Sequence, residues 1–295
     1  MTGNRNAVLF ALMLLAPAVV YILFIVAYPL VDTVILSFTN AALRPSYDWV
    51  GWANYQKIFS GTRFTEIIIR TIVWTICSVG LKMIIGVCGA VLLNAAVPGQ
   101  ALFRVLTMPP WIVPMAIGIY MWGWMYNGQF GMISGLLQNF GLVDGPIAFL
   151  GYGNTAFWAT IVTDVWIGVP MVTIYLLAAI QSVPRDLYEA AWADGAGRFY
   201  RFRRITLPLI LPAMMTMSLL SLIATFNSFD IIWILTQGGP SGQTTTMIID
   251  TFQTGIRSAK YGEGAARAVL ICIFVSIFCL VYFRAVRRLS GGDLR

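Results

Sequence analysis

Lys82, Asp164, Asn227, Asp230 and Arg267 each stand inside a long apolar run, and Asp32 stands near the edge of another. A charge at the centre of a membrane helix costs about 3 kcal/mol on insertion scales, so residues kept there are candidates for holding a polar solute or for pairing with one another. The chemistry they offer is recognition by charge and hydrogen bonding. Bond-breaking chemistry lacks its usual groups. There is no histidine, which removes the common proton shuttle and the commonest transition-metal ligand. Cys77, Cys88, Cys272 and Cys279 all fall in apolar runs without metal-ligand spacing and read as small buried hydrophobes. No glycine-rich phosphate loop ending in Gly-Lys-Ser/Thr occurs, so any ATP is bound by another chain. The residues predict a non-enzyme with no metal site and no bound cofactor.

The elements that position these groups follow from composition. Of 295 residues, 59% are hydrophobic and 11% charged, against roughly 25% charge in a soluble domain. The bulk of the chain therefore belongs in lipid. A span needs about 20 apolar residues. Six stretches qualify, at 7–37, 67–96, 105–126, 157–182, 208–235 and 264–286. The first is too long for the apolar core of a cleaved signal peptide and is expected to stay as a span. The expectation is an all-α polytopic membrane protein, 1–295 forming one transmembrane domain.

The net charge of +7 fits basic loops facing anionic lipid better than nucleic-acid binding in a chain this apolar. Arg5, Arg104, Arg185, Arg198, Arg201, Arg203, Arg204, Arg284, Arg287, Arg288 and Arg295 share one side. Arg44, Lys57, Arg63, Arg257 and Lys260 fall on the other, with Arg70 and Arg267 at span edges. The positive-inside rule then places both termini in the cytoplasm and the 38–66, 127–156 and 236–263 loops outside. Pro109, Pro110, Pro114, Pro170, Pro208 and Pro212 fall in or beside spans. Each is either a packing kink or a mark of a helix that lines a cavity.

One cytoplasmic loop differs from the rest. From Val183 to Pro208 it opens on Pro184, with Asp186 and Glu189 placed to complement a helix N-terminus. Leu187 with Ala191 and Tyr188 with Trp192 form i,i+4 pairs. Gly195 and Gly197 end this helix, and a basic helix carrying Phe199 and Phe202 follows. The loop reads as a helix–turn–helix knob able to dock in a groove of a soluble partner. A helix lying on anionic lipid is the alternative, and its acidic half fits that poorly.

This loop resembles the EAA loop of ABC-importer permeases. Glu189-Ala190-Ala191, Gly195, Ile205 and Leu207-Pro208 stand at the family's spacings. The resemblance extends to Pro17, Tyr28-Pro29, Ser37-Phe38, Val50-Gly51, Asn54-Tyr55 and the stretch Pro109 to Gly131. Phe229-Asp230, Leu235-Thr236 and Gly238-Gly239-Pro240 are similar to a signature of the carbohydrate-uptake branch, including maltose-type and glycerol-phosphate-type permeases. Arg70-Thr71 departs from the Asn-Thr of many relatives, and Lys82 and Arg267 stand where apolar or small residues are commoner.

The resemblance implies the six-span ABC importer permease fold in a bacterial inner membrane. It implies a second permease, two ATPase subunits carrying ATP and magnesium, and an external solute-binding protein as partners. The 183–208 loop is then the coupling loop, with Glu189, Ala190, Ala191, Asp194, Gly195, Ile205, Leu207 and Pro208 at the ATPase contact. The cargo is a sugar or sugar derivative. Alternatives are another solute (a polyol, glycerol phosphate or oligopeptide) or a self-sufficient secondary transporter, against which the absence of a detectable inverted repeat argues. Lys82, Trp122, Trp166, Asn227, Asp230 and Arg267 are candidate pathway residues. Sugars are held by hydrogen bonds and an aromatic face, and Trp111, Trp124 and Trp233 join that set. Tryptophans also populate interfacial belts. Asp230 has a structural alternative, bonding the Gly238-Gly239-Pro240 turn. If Lys82 and Arg267 both line the path, an anionic sugar becomes the expected cargo.

Overall fold

The computed structural model describes residues 2–43, 47–95 and 99–289, with side chains from 10 to 286 among them. Arg44 and Arg295, and the side chains of Arg5, Arg287 and Arg288, used above for orientation, lie outside the described residues, as does residue 96 of the expected 67–96 span. Among the described residues the chain is helical, apart from an isolated bridge between Thr39 and Trp49.

Helix α1 (Thr2–Tyr21) runs through a π-helical turn (Ile22–Ala27) into α2 (Tyr28–Leu36). Proline explains the turn: the ring of Pro29 crowds the carbonyl four residues back and offers no N–H to it, and wider i→i+5 pairing absorbs the mismatch. A short α3 (Ala53–Ser60) precedes α4 (Thr62–Asn94). At 33 residues α4 is about 50 Å long, more than the hydrocarbon core requires.

The expected third span, 105–126, is corrected by the structure. Helices α5 (Gln100–Leu106) and α6 (Pro109–Ile112) form one limb, and α7 (Met115–Met125) leaves it at 94°. Val113 is extended, with φ −64° and ψ 134°, because the residue before proline is pushed out of the α region by Pro114. Among the described residues five helices are long and apolar enough to cross a membrane, and this bent pair makes a sixth if it is one span. After α8 (Met132–Asn139), α9 (Gly153–Gln181) passes through Pro170 without a break.

Then come α10 (Arg185–Ala193), α11 (Arg198–Arg201), a π turn (Phe202–Thr206) and α12 (Leu207–Phe226). The expected fifth span, 208–235, is also corrected. Its helix starts at Arg198, stops at Phe226, and resumes as α13 (Asp230–Thr236). Helices α14 (Met247–Phe252) and α15 (Tyr261–Leu289) follow, with a π turn (Gln253–Arg257) after α14.

The expected single domain resolves into two compact units. Residues 1–65 with 250–274 form the first. Polar and aromatic contacts hold it: Asn54 Nδ2 donates to the carbonyls of Ser37 and Thr39, at 2.9 and 2.8 Å. Phe38 stacks on Trp49 at 5.3 Å and meets Trp52 edge-on. Residues 66–249 with 275–295 form the second. Apolar clusters hold this one. Ala90, Val172, Leu176 and Ile210 join α4, α9 and α12. Trp74, Ile119, Ile161 and Ile232 join α4, α7, α9 and α13.

Candidate functional site

The knob is built from backbone rules. Pro184 caps α10 with extended geometry, φ −56° and ψ 132°, and Asp186 sits in the first turn, where a carboxylate complements the helix dipole. The helix ends in a Schellman motif. The Gly195 N–H donates to Trp192 O and the Ala196 N–H to Ala191 O, both at 2.9 Å. Gly195 takes φ +77°, which any side chain would strain. Gly197 then caps the next helix.

That next helix was expected as a separate short element. Instead Arg198 to Phe226 is one helical run. The π turn at Phe202–Thr206 takes up Pro208 as the earlier one takes up Pro29. The second half of the exposed knob and the membrane helix are thus one continuous run. Tyr188 OH lies 2.9 Å from Thr206 Oγ1, and Tyr188 and Ile205 pack on the apolar cluster below. Leu207 is half-buried and Ala191 likewise, whereas Glu189, Ala190, Asp194, Gly195 and Pro208 are exposed. Trp192 and Phe199 are 72% and 76% exposed, so the knob presents aromatic surface beside its acidic residues.

The other end of the same helix meets a cavity of about 270 Å³. Its wall includes Lys82 on α4, Asp164 on α9, Thr225 at the end of α12, Asn227 and Phe229 in the break, and Asp230 on α13. The break has a local cause. Asn227 Nδ2 donates to Ile223 O at 2.9 Å, and such side-chain bonds compete with the helical ladder. Trp74 Nε1 donates to Thr225 O at 3.1 Å, satisfying a carbonyl at the helix end. Irregular backbone at membrane depth is tolerated where it lines a cavity or is buried in protein.

Lys82 Nζ lies 2.6 Å from Asp164 Oδ2 and donates to Thr225 Oγ1 at 3.0 Å. The Lys82–Asp164 contact joins charges without an aligned hydrogen bond, since Oδ2 accepts none. Lys82, Asn227 and Asp230 are thereby brought to one cavity. Trp122 and Trp166 are not part of its wall. They pack edge-to-face at 5.8 Å. Trp111 and Trp124 are exposed, as lipid-facing belt residues would be. The aromatic face at the cavity is Phe229, stacked on Trp233 at 5.5 Å.

Arg267 belongs to the first unit. Its Nε donates to Asp250 Oδ2 at 2.7 Å, and Glu263 stands 3.8 Å from Nη1. Glu263 also pairs with Lys57. With Lys82 and Arg267 both matched by carboxylates, the two-cation argument for an anionic cargo loses its basis. Asp230 does not bond the Gly238–Pro240 turn. Thr244 Oγ1 and Thr245 Oγ1 donate to the carbonyls of Gly239 and Gly238. Arg70 also serves this loop, donating to Gly242 O and Thr245 O. Sequence reasoning missed Trp74, Gly168 and Thr225. The i,i+4 spacing of Asp164 and Gly168 on one helix face was a usable signal.

A profile of the family described as "Binding-protein-dependent transport system inner membrane component" matches residues 5–291. The chain is 36% identical to the trehalose/maltose transport system permease protein MalF of Thermococcus litoralis, over 96% of this chain and 95% of that protein. It is 31% identical to the sulfoquinovosyl glycerol transport system permease protein SmoG of Agrobacterium fabrum, over 97% and 92%. The fold matches a bacterial ABC transporter involved in the import of the acidic polysaccharide alginate, with TM-score 0.83, 22% identity and 97% of each chain covered.

Proposed function

Because the chain belongs to the family of inner membrane components of binding-protein-dependent transport systems, we propose that it is a permease subunit of an ABC importer for a saccharide. In this reading an external solute-binding protein delivers the cargo and a second permease completes the pathway. Two ATPase subunits, binding ATP and magnesium, engage the knob from the cytoplasm, where both termini lie. The helix Phe10–Leu36, whose side chains are mostly exposed within the chain, faces lipid or the second permease. The names of the relatives with high coverage support the saccharide class.

One observation carries the mechanism: the uninterrupted helix from Arg198 to Phe226. It begins at the exposed knob and ends at Thr225 and the break that line the cavity. A push on α10 passes through the Gly195 turn and the Tyr188–Thr206 contact into this helix. Its far end carries the hydrogen-bonding partner of Lys82. Closure of the ATPase dimer would tilt the helix and alter the cavity wall, exchanging tight and loose cargo binding. The chain contributes no group to ATP hydrolysis.

The test is reconstitution with the partner chains in proteoliposomes. Saccharide uptake should require ATP and the binding protein. Gly195→Pro should leave insertion and assembly intact and uncouple hydrolysis from uptake. Normal uptake by that variant would sink the coupling role of the knob.

A further inference from the structure

Lys82 is built into the wall rather than left free. Its ammonium meets Asp164 at 2.6 Å and Thr225 at 3.0 Å, and both ends of the ion pair are buried, each side chain 8% exposed. Its stem needs Gly168, one turn beyond Asp164. A Cβ at position 168 would stand 2.7 Å from Lys82 Cε and 2.9 Å from Cδ. Three residues on two neighbouring helices thus seat the cation and cancel it.

Asp230 adds a second carboxylate to the same wall. The lining therefore carries one positive and two negative formal charges among Lys82, Asp164 and Asp230, a balance of minus one. An anion entering this space finds Lys82 already neutralised and meets the exposed carboxylate of Asp230 as the uncompensated charge. A polyhydroxyl compound meets hydrogen-bonding groups at Asn227 and Ser228 and the apolar face of Phe229. Resting on the reading of this cavity as the cargo site, we infer that it takes uncharged saccharides. Asp164 is then the specificity-determining residue: by neutralising Lys82 it keeps carboxylated and sulfonated sugars out.

The test uses the full importer, with this chain, its partner permease and the ATPase, in nanodiscs. Equilibrium binding is measured without the binding protein, so that its own selectivity does not enter. The probes are trehalose and maltose against disaccharides of equal size bearing a uronate or a sulfonate. The wild type should bind the neutral probes and reject the acidic ones. Asp164→Asn, which leaves Lys82 unopposed, should shift the preference toward the acidic probes by about tenfold or more, a change of about 1.4 kcal/mol. Lys82→Met/Asp164→Asn removes both charges and should return the neutral preference. This second variant keeps the test decisive if the single one fails to assemble, because a preference for acidic probes in it would contradict the inference. Acidic binding by the wild type at neutral-sugar strength overturns the proposal, as does an unchanged preference in an assembled Asp164→Asn complex. If neither class binds while another solute is carried, the saccharide reading itself falls, and this inference with it.

Discussion

Replacing Tyr188 by phenylalanine removes one hydroxyl and nothing else from the base of the knob. The loss of its contact with Thr206 should destabilise the assembled complex by about 1 kcal/mol. The larger effect is expected on ATP turnover per solute carried, since the contact ties α10 to the transmitting helix. A thermal-shift measurement beside a coupled ATPase assay separates the two effects. Trp74→Phe is the matching experiment at the other end. Trp74 is fully buried and its indole N–H serves the Thr225 carbonyl. That carbonyl keeps the Ser228 N–H at 3.0 Å, so losing the indole bond should cost about 1 kcal/mol, read as a lower melting temperature with the cavity wall loosened. In the sequence Tyr188 stands out only as half of an i,i+4 pair with Trp192, and Trp74 not at all. One tyrosine of 12 and one tryptophan of 10 carry no mark of their partner, which lies on another element. Glu189 and Gly195 did stand out, because their roles depend on local spacing and local backbone geometry.

At the scale of elements, the turn between α10 and the long helix is the part whose failure is easiest to predict. Gly195→Ala meets no neighbouring atom within 4 Å, so its penalty comes from the positive φ alone, about 1 kcal/mol. It should assemble and transport at reduced coupling. Gly195→Pro cannot take that geometry and also loses the N–H donated to Trp192 O. It should uncouple fully. A graded response, wild type above alanine above proline in solute carried per ATP, would show that turn geometry sets the coupling. Equal coupling in all three would show that it does not. The helix breaks were only partly legible. Prolines near 109–114 and 208 announced irregularity, but a proline does not say whether a helix bends, as at Val113, or widens into a π turn and continues, as at Phe202–Thr206. The break at Asn227 has no proline at all. It arises where polar side chains compete for backbone groups beside a cavity that can accommodate them.

For the whole molecule, the orientation can be checked directly. A cysteine placed at Ala193, on the exposed knob, should react with a membrane-impermeant maleimide only in inverted vesicles. One placed at Gln129, on an expected outer loop and exposed, should react only from outside, with the parent protein measuring the background from the native cysteines. Reaction of both from one side would overturn the six-span arrangement. Assembly offers a second check. Trp192 and Phe199 expose aromatic surface at the knob, and large exposed apolar side chains beside charges mark protein contact sites. Trp192→Ala should lower co-purification of the ATPase while co-purification of the second permease is unchanged.

Hydropathy and seven motif positions determined the membrane class and the knob, and the arginine asymmetry set the expected side of each loop. All are properties of short stretches: a span is about 20 residues, and the motif from Glu189 to Pro208 falls within one loop. The tertiary structure decided what the buried charges do. Lys82 and Asp164 are far apart in sequence and 2.6 Å apart in space. Arg267 meets Asp250 of the preceding helix at 2.7 Å, beside Glu263 four residues back on its own helix. A lone charge in an apolar run has the same appearance whether it awaits an anionic cargo or is already matched. The partner of Lys82 comes from helix packing, which no local pattern encodes. That packing turned two free-looking cations into two neutralised pairs, and with them the expected charge of the cargo.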